Sequence, residues 1–382
     1  MEQSTLERVE QWRAAGLIDA ATADRIRAWE AEHAPKHASR LGRFAFGFGG
    51  VLLGAGILLF VAANWYVLSP WGRFATVAAT VALLHVAASF AQSRVPALAT
   101  TLHAVGTAAF GGGVFLAGQT FNLAEHWPTG FLLWSLGAAC GLWLLRDWPH
   151  VLWVALLVPL WLTAGWLVQG YGWGLDGPYA LHVVGLLVLN VAYLAAVGED
   201  RDSTWRRALS RLGAIVLVPV GAMLPFVRLG GWQGPPGEVL LPEPSATWLV
   251  TGWGVAILLP LLVGGWLRGR QAWPLLVAAA FAVVVGMLDT STTTTRVFTH
   301  LLYFVACAAL VWWGLRDAHR LRVNVGVLGF ALTVLSFYYS SVFDKFGRAL
   351  GLIGLGVLFI GGGWWLERTR RRLLSRIEGG AR

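Results

Sequence analysis

An all-α, polytopic transmembrane helical bundle of about twelve spans is the fold this sequence predicts. Three observations carry the expectation. Twelve apolar runs contain no Asp, Glu, Lys or Arg; the chain is 57% hydrophobic and 13% charged; and its basic residues fall mainly in alternate gaps between the runs. A soluble domain carries roughly 25% charged residues, and the mean hydropathy here is +0.62. Spans of about 20 residues joined by short loops account for the length of 382 residues with one bundle.

The elements follow in order. Residues 1–43 read as a small N-terminal cytoplasmic helical hairpin and linker. Its two short amphipathic helices, 6–15 and 22–33, join at Gly16, a residue suited to a C-terminal cap, with Asp19 or Thr22 capping the second. The apolar set Leu6, Val9, Trp12, Leu17, Ile18, Ile26 and Trp29 is too small for an independent core, so the hairpin is expected to dock on the bundle, a partner or a second copy. These first 43 residues show no secretory signal, and the first apolar run is expected to remain as an anchor.

The transmembrane helical bundle, residues 44–366, is predicted to hold spans at 44–63, 74–92, 97–118, 130–145, 151–169, 179–197, 212–227, 248–267, 273–288, 297–315, 323–339 and 349–366. The fourth and seventh are near the short end, and Pro219 and Pro225 break the seventh. Residues 367–382 form a basic cytoplasmic tail that suits anionic lipids. With an inward N-terminus, 24 of the 29 Lys and Arg lie on the inside, and that bias sets orientation. Both termini are thus expected in the cytoplasm. Trp65, Trp148, Trp248, Trp273, Trp312 and Trp364 stand at run ends, where an amphipathic ring suits the headgroup level.

The net charge of +9 is spread over loops rather than gathered into an aromatic-interleaved patch, which argues against nucleic acid as a partner. The expected partners are the bilayer and a second copy or another membrane protein. Signatures of metalloprotease, serine hydrolase and P-loop chemistry are absent from the sequence, so neither enzymatic chemistry nor a cofactor is expected. Cys140 and Cys307 both fall within apolar runs, where a small hydrophobe is the ordinary role.

Two constellations remain. His85 lies 8 residues before Ser93 and His103 lies 7 after Pro96, on helices joined by a short turn. At 1.5 Å per residue, both reach about 11–12 Å beneath the inner surface and could face each other as a proton relay. With only two ligands, no metal is assigned. The second is a possible substrate mouth at the opposite face: Asn64, Trp65, Arg73, Gln119, Asn122, Glu125 and His126 gather at span ends, next to Gly111-Gly112-Gly113 and Gly118. Glycine breaks recur where unwound backbone lines a cavity, although close helix packing uses the same residues.

Gly16-Leu-Ile-Asp19, the stretch Gly54 through Asn64-Trp65, Ser69-Pro70-Trp-Gly-Arg73 and Gly118-Gln119-Thr-Phe-Asn122-Leu together resemble the bacterial predicted membrane proteins of domain of unknown function 2157. The resemblance spans roughly residues 1–147. It implies a multi-pass protein of the bacterial inner membrane with a cytoplasmic helical head, and brings no established activity. A carrier or channel for a small solute is the expected function; the alternative is an assembly or sensing protein that recruits partners through its head.

Overall fold

The computed structural model describes residues 9–10, 12–33, 67–121, 126–169, 181–198, 203–224, 246–288 and 292–341, with isolated positions elsewhere. The first and twelfth predicted spans, most of the loop from 228 to 247 and the basic tail lie largely outside the described residues, as do Asn64, Trp65, Asn122 and Glu125. The described elements are all helical. They comprise α1 Ala20–His33, α2 Pro70–Ala91, α3 Pro96–Thr120, α4 Pro128–Leu145, α5 Trp148–Gln169, α6 Leu181–Leu194, α7 Thr204–Met223, α8 Ala246–Arg268, α9 Trp273–Met287, α10 Thr293–Arg316 and α11 Arg320–Ser341. The chain divides into two compact units, Met1–Ala109 and Phe110–Arg382.

Local chemistry explains where these helices begin. Pro occupies the first turn of α2, α4 and α9, where its missing N–H forfeits no helical bond. Side chains of Ser69, Ser203 and Thr292 accept from the amides of Gly72, Arg206 and Thr295 and cap α2, α7 and α10. Near the N-terminus, Gly16 takes φ +70°. Its amide donates to Arg13 O, and that of Leu17 to Trp12 O, the paired C-terminal bonds that glycine permits.

Among the described residues, seven helices, α2, α3, α4, α5, α8, α10 and α11, are long and apolar enough to cross a membrane. Two more, α6 and α9, are apolar but have 14 and 15 residues, while α7 carries Arg206, Arg207 and Arg211 in its first turns. Exposure identifies the solvent these helices require. Phe90, Trp143, Ile215 and Leu262 are each more than 70% exposed, and apolar faces on that scale are stable against lipid rather than water. The molecule is a membrane protein with several transmembrane-capable helices.

Two sequence expectations need correction. Glycines 111–113 do not interrupt the third span, because α3 is continuous from Pro96 to Thr120. A Cβ on Gly111 would collide with the indole of Trp134, so this glycine serves close helix packing. The helix of the seventh span starts at Thr204, two turns before the apolar run at 212, because Ser203 caps it and the charged turn remains helical. In addition, α8 contains a π turn at Gly254–Leu258. Pro260 cannot donate to the carbonyl of Ala256 four residues back, and its ring crowds that oxygen, which widens the preceding turn.

In the second unit the core lies between α6 and its neighbours and includes Val184, Leu187, Leu194, Leu217, Leu275 and Val285. Glycine sets the spacing. A Cβ on Gly213 of α7 would sit 2.6 Å from Asn190 O and 2.7 Å from Leu194 N, both backbone atoms of α6. Gly185 of α6 meets the widened turn of α8 in the same way, at 3.0 Å from Ala256 Cα.

Candidate functional site

Within the second unit, α6, α7, α9, α10 and α11 line a half-open cavity of about 480 Å³, within the range of small-molecule sites. Its wall follows α10 from Arg296 to Trp313, about 26 Å at the helical rise. Most of the lining is apolar, contributed by residues such as Leu187, Leu217, Val277, Phe281 and Leu332.

Three of the four hydroxyls among the described lining residues donate to helix carbonyls. Thr299 donates to Thr295 O at 2.9 Å, Thr333 to Gly329 O at 2.8 Å and Tyr303 to Gly221 O at 2.7 Å. A ligand in mid-cavity therefore finds few donors. At one end stand Arg296 and His300, one turn apart, with His300 Nδ1 2.7 Å from Arg296 O. Arg296 is the one charged side chain among the described lining residues.

The other end reaches Trp313, beneath an arginine cluster. Arg322 is fully buried; it donates to Asp317 through Nη1 and to Val197 O through Nη2, each at 2.5 Å. Its guanidinium lies 4.0 Å from the Trp313 ring centroid. Arg268 pairs with the same Asp317 and donates to Val197 O at 3.1 Å. From α7, Arg206 donates to Ala196 O at 2.8 Å and to Leu267 O at 2.9 Å. The carbonyls of Ala196 and Val197 lie just beyond the C-terminus of α6 and that of Leu267 in the last turn of α8, where a helix leaves acceptors without internal partners and the dipole favours cations. Three segments thus supply the donors that a short helix lacks in a poorly hydrated setting.

Of the predicted relay, His85 and His103 lie side by side, with Nδ1 atoms 2.9 Å apart and ring centroids 5.2 Å apart. Gly106 makes room, since a Cβ there would fall 2.8 Å from His85 Nε2. Among the described residues, no third His, Cys, Asp or Glu completes a metal-ligating group with them.

The members of the predicted mouth are described separately. Arg73 is half-buried in the first turn of α2; Gln119 is exposed near the end of α3; and His126 is exposed, with Nδ1 3.0 Å from Thr129 Oγ1. None of these is among the residues lining the cavity.

Sequence reading missed the cavity and the arginine cluster because it counted the loop arginines as orientation markers. One signal was available. Asp317 lies between Arg316 and Arg322, and a carboxylate among arginines at a span end points to a paired role as well as a topological one. Arg296 and His300, four residues apart, also share one helix face.

No curated protein and no solved structure matches the chain. Over residues 10–151, the chain matches the family described as predicted membrane protein (DUF2157), a family of unknown function.

Proposed function

We propose that this protein is a multi-pass carrier for a small solute and that the cavity among α6, α7, α9, α10 and α11 is its binding chamber. The observation behind this reading is a wall about 26 Å long along α10, comparable with the roughly 30 Å of a bilayer's hydrocarbon core. The chamber therefore runs with the helices rather than along a loop surface.

In this reading the chain crosses a bacterial inner membrane twelve times, with both termini in the cytoplasm and the arginine cluster at the inner face. The arrangement of the second unit supports that alternation. The end of α6, the start of α7, the end of α8, the end of α10 and the start of α11 all meet at the cluster. Near the far end of α7, Gly221 O accepts from Tyr303, ten residues into α10. An N-terminal helical hairpin forms the cytoplasmic head, with Arg27 of α1 bound to Glu10.

Uptake into proteoliposomes tests the reading, using a panel of radiolabelled carboxylates, fatty acids and neutral alcohols. At least one should enter faster than into protein-free vesicles, and Gly221→Leu, which fills the chamber, should abolish the difference. If no member of the panel moves faster, the carrier reading fails.

A further inference from the structure

We infer that His85 and His103 form a binding site for a single proton between α2 and α3, taking it up as a pair and parting when a second one arrives. The inference concerns the first unit alone and uses none of the residues that line the chamber, so it stands or fails apart from the carrier reading.

Geometry carries it. The two Nδ1 atoms lie 2.9 Å apart, with ring centroids 5.2 Å apart and planes tilted by 35°. Ring nitrogens at that distance hold one hydrogen between them, because each nitrogen either donates or accepts. In the neutral pair, one ring is therefore the Nδ1–H tautomer, and the other accepts through Nδ1 while its own hydrogen sits on Nε2. An added proton goes to Nε2 of the donor ring. That ring becomes an imidazolium whose Nδ1–H still points at its neutral partner, and the bond becomes charge-assisted, about twice as strong as a neutral one. A second proton has no comparable place. It would set two N–H groups head to head at the Nδ1 atoms and leave two like charges on neighbouring rings.

The helices are shaped for this contact. His103 is buried and His85 half-buried, and Gly106 lets the two approach, since a Cβ there would fall 2.8 Å from His85 Nε2 and 3.1 Å from its Cδ2. Ionisable groups nearby are few. Besides the pair, α2 carries Arg73, twelve residues from His85, and α3 carries none. The turn between them holds Arg94, nine residues from each histidine, and the apolar run 44–63 has no ionisable residue in its sequence. Ser89 Oγ, one turn from His85, donates to the His85 carbonyl at 2.9 Å.

The experiment uses the full chain in phosphatidylcholine nanodiscs, with 15N in the histidine rings, followed by NMR from about pH 8 to about pH 4, across the ordinary histidine range. Among the nine histidines of the chain, the pair is identified by the signals lost in His85→Asn and His103→Asn. A coupling between the two Nδ1 nuclei across the hydrogen bond should be present at the start, persist through uptake of the first proton and vanish with the second. The two uptake steps should be separated by at least about tenfold in proton concentration, as for interacting sites, whereas the histidine left in either single variant should titrate in one step.

Gly106→Ala displaces the His85 ring without altering either imidazole. It should abolish the coupling and merge the two steps, with the His300 signals of the second unit unchanged as the check on folding. Uptake of both protons in a single step by the unaltered chain would overturn the inference, as would absence of the coupling at neutral pH. A pair that keeps its coupling and stays neutral to about pH 4 would be a structural hydrogen bond alone, which would overturn it as well.

Discussion

The two ends of α10 meet opposite conditions. At its C-terminal end, Trp313 packs beneath Arg268 and Arg322, whose guanidiniums hold Asp317 and backbone carbonyls. At its N-terminal end, Arg296 and His300 line open space. The same helix therefore carries a closed ionic junction at one end and a chamber at the other, and the difference teaches that arginine at a span end can do two separate jobs. One ties helices together where carbonyls lack partners; the other gives a charge to an otherwise apolar cavity.

The largest effect is expected at the junction. Asp317→Ala removes the carboxylate between Arg268 and Arg322, whose side chains are 7% and 0% exposed. Leaving buried charge uncompensated costs about 3–5 kcal/mol. Thermal unfolding in detergent, followed by size-exclusion chromatography, should show the greatest loss of folded protein in this variant.

Two glycines on α7 sharpen the contrast. Gly213→Leu drives a side chain into the backbone of α6, whereas Gly221→Leu enters open space. The first should destabilise by about 1–3 kcal/mol, as overpacking does, and the second by no more than about 0.5 kcal/mol. Equal destabilisation of the two variants in the same assay would erase the distinction between the closed and open ends.

Much of this organisation was legible before folding. Ten predicted apolar runs, from 74–92 through 323–339, overlap described helices, seven of them long and apolar enough to cross a membrane, because an apolar run without charges has few alternatives to a helix in lipid. That His85 and His103 could face each other followed from counting residues out from one short turn, and their Nδ1 atoms lie 2.9 Å apart. What sequence could not supply was any property that depends on several distant segments. Arg206, Arg268 and Arg322 share the end of α6 although 116 residues separate the first from the last. Likewise, the glycine row 111–113 is compatible with either a break or tight packing, and only the position of Trp134 decides between them.

Smaller effects belong to the first unit. His103→Asn should change stability by about 0.6 kcal/mol, the typical worth of an interhelical hydrogen bond in membranes, measured in the same unfolding assay. A loss as large as that of Asp317→Ala would mean that the histidine contact holds its helices as firmly as the ionic junction does.

The smallest effect is expected at the head. Asp19 Oδ1 accepts from the amide of Thr22 at 2.8 Å, and hydrogen bonding to Thr22 holds its carboxyl below the ordinary value of 3.8. The charged form is therefore favoured in the folded state. Its contribution is fully present above the ordinary carboxylate range and is lost as pH falls through the depressed value. Asp19→Ala should speed hydrogen exchange at Thr22 near neutral pH without altering the exchange of α10.

Accessibility of the two ends of α10 and α11 tests the central layout most directly. Single cysteines replacing Thr294 and Arg320, both exposed, would be introduced after Cys140 and Cys307 are changed to serine. A membrane-impermeant maleimide applied to spheroplasts should label the cysteine at 294 at once and the one at 320 only after permeabilisation. Labelling of both from the same side would contradict the crossing of α10 and the placement of the arginine junction and Arg296 at opposite faces.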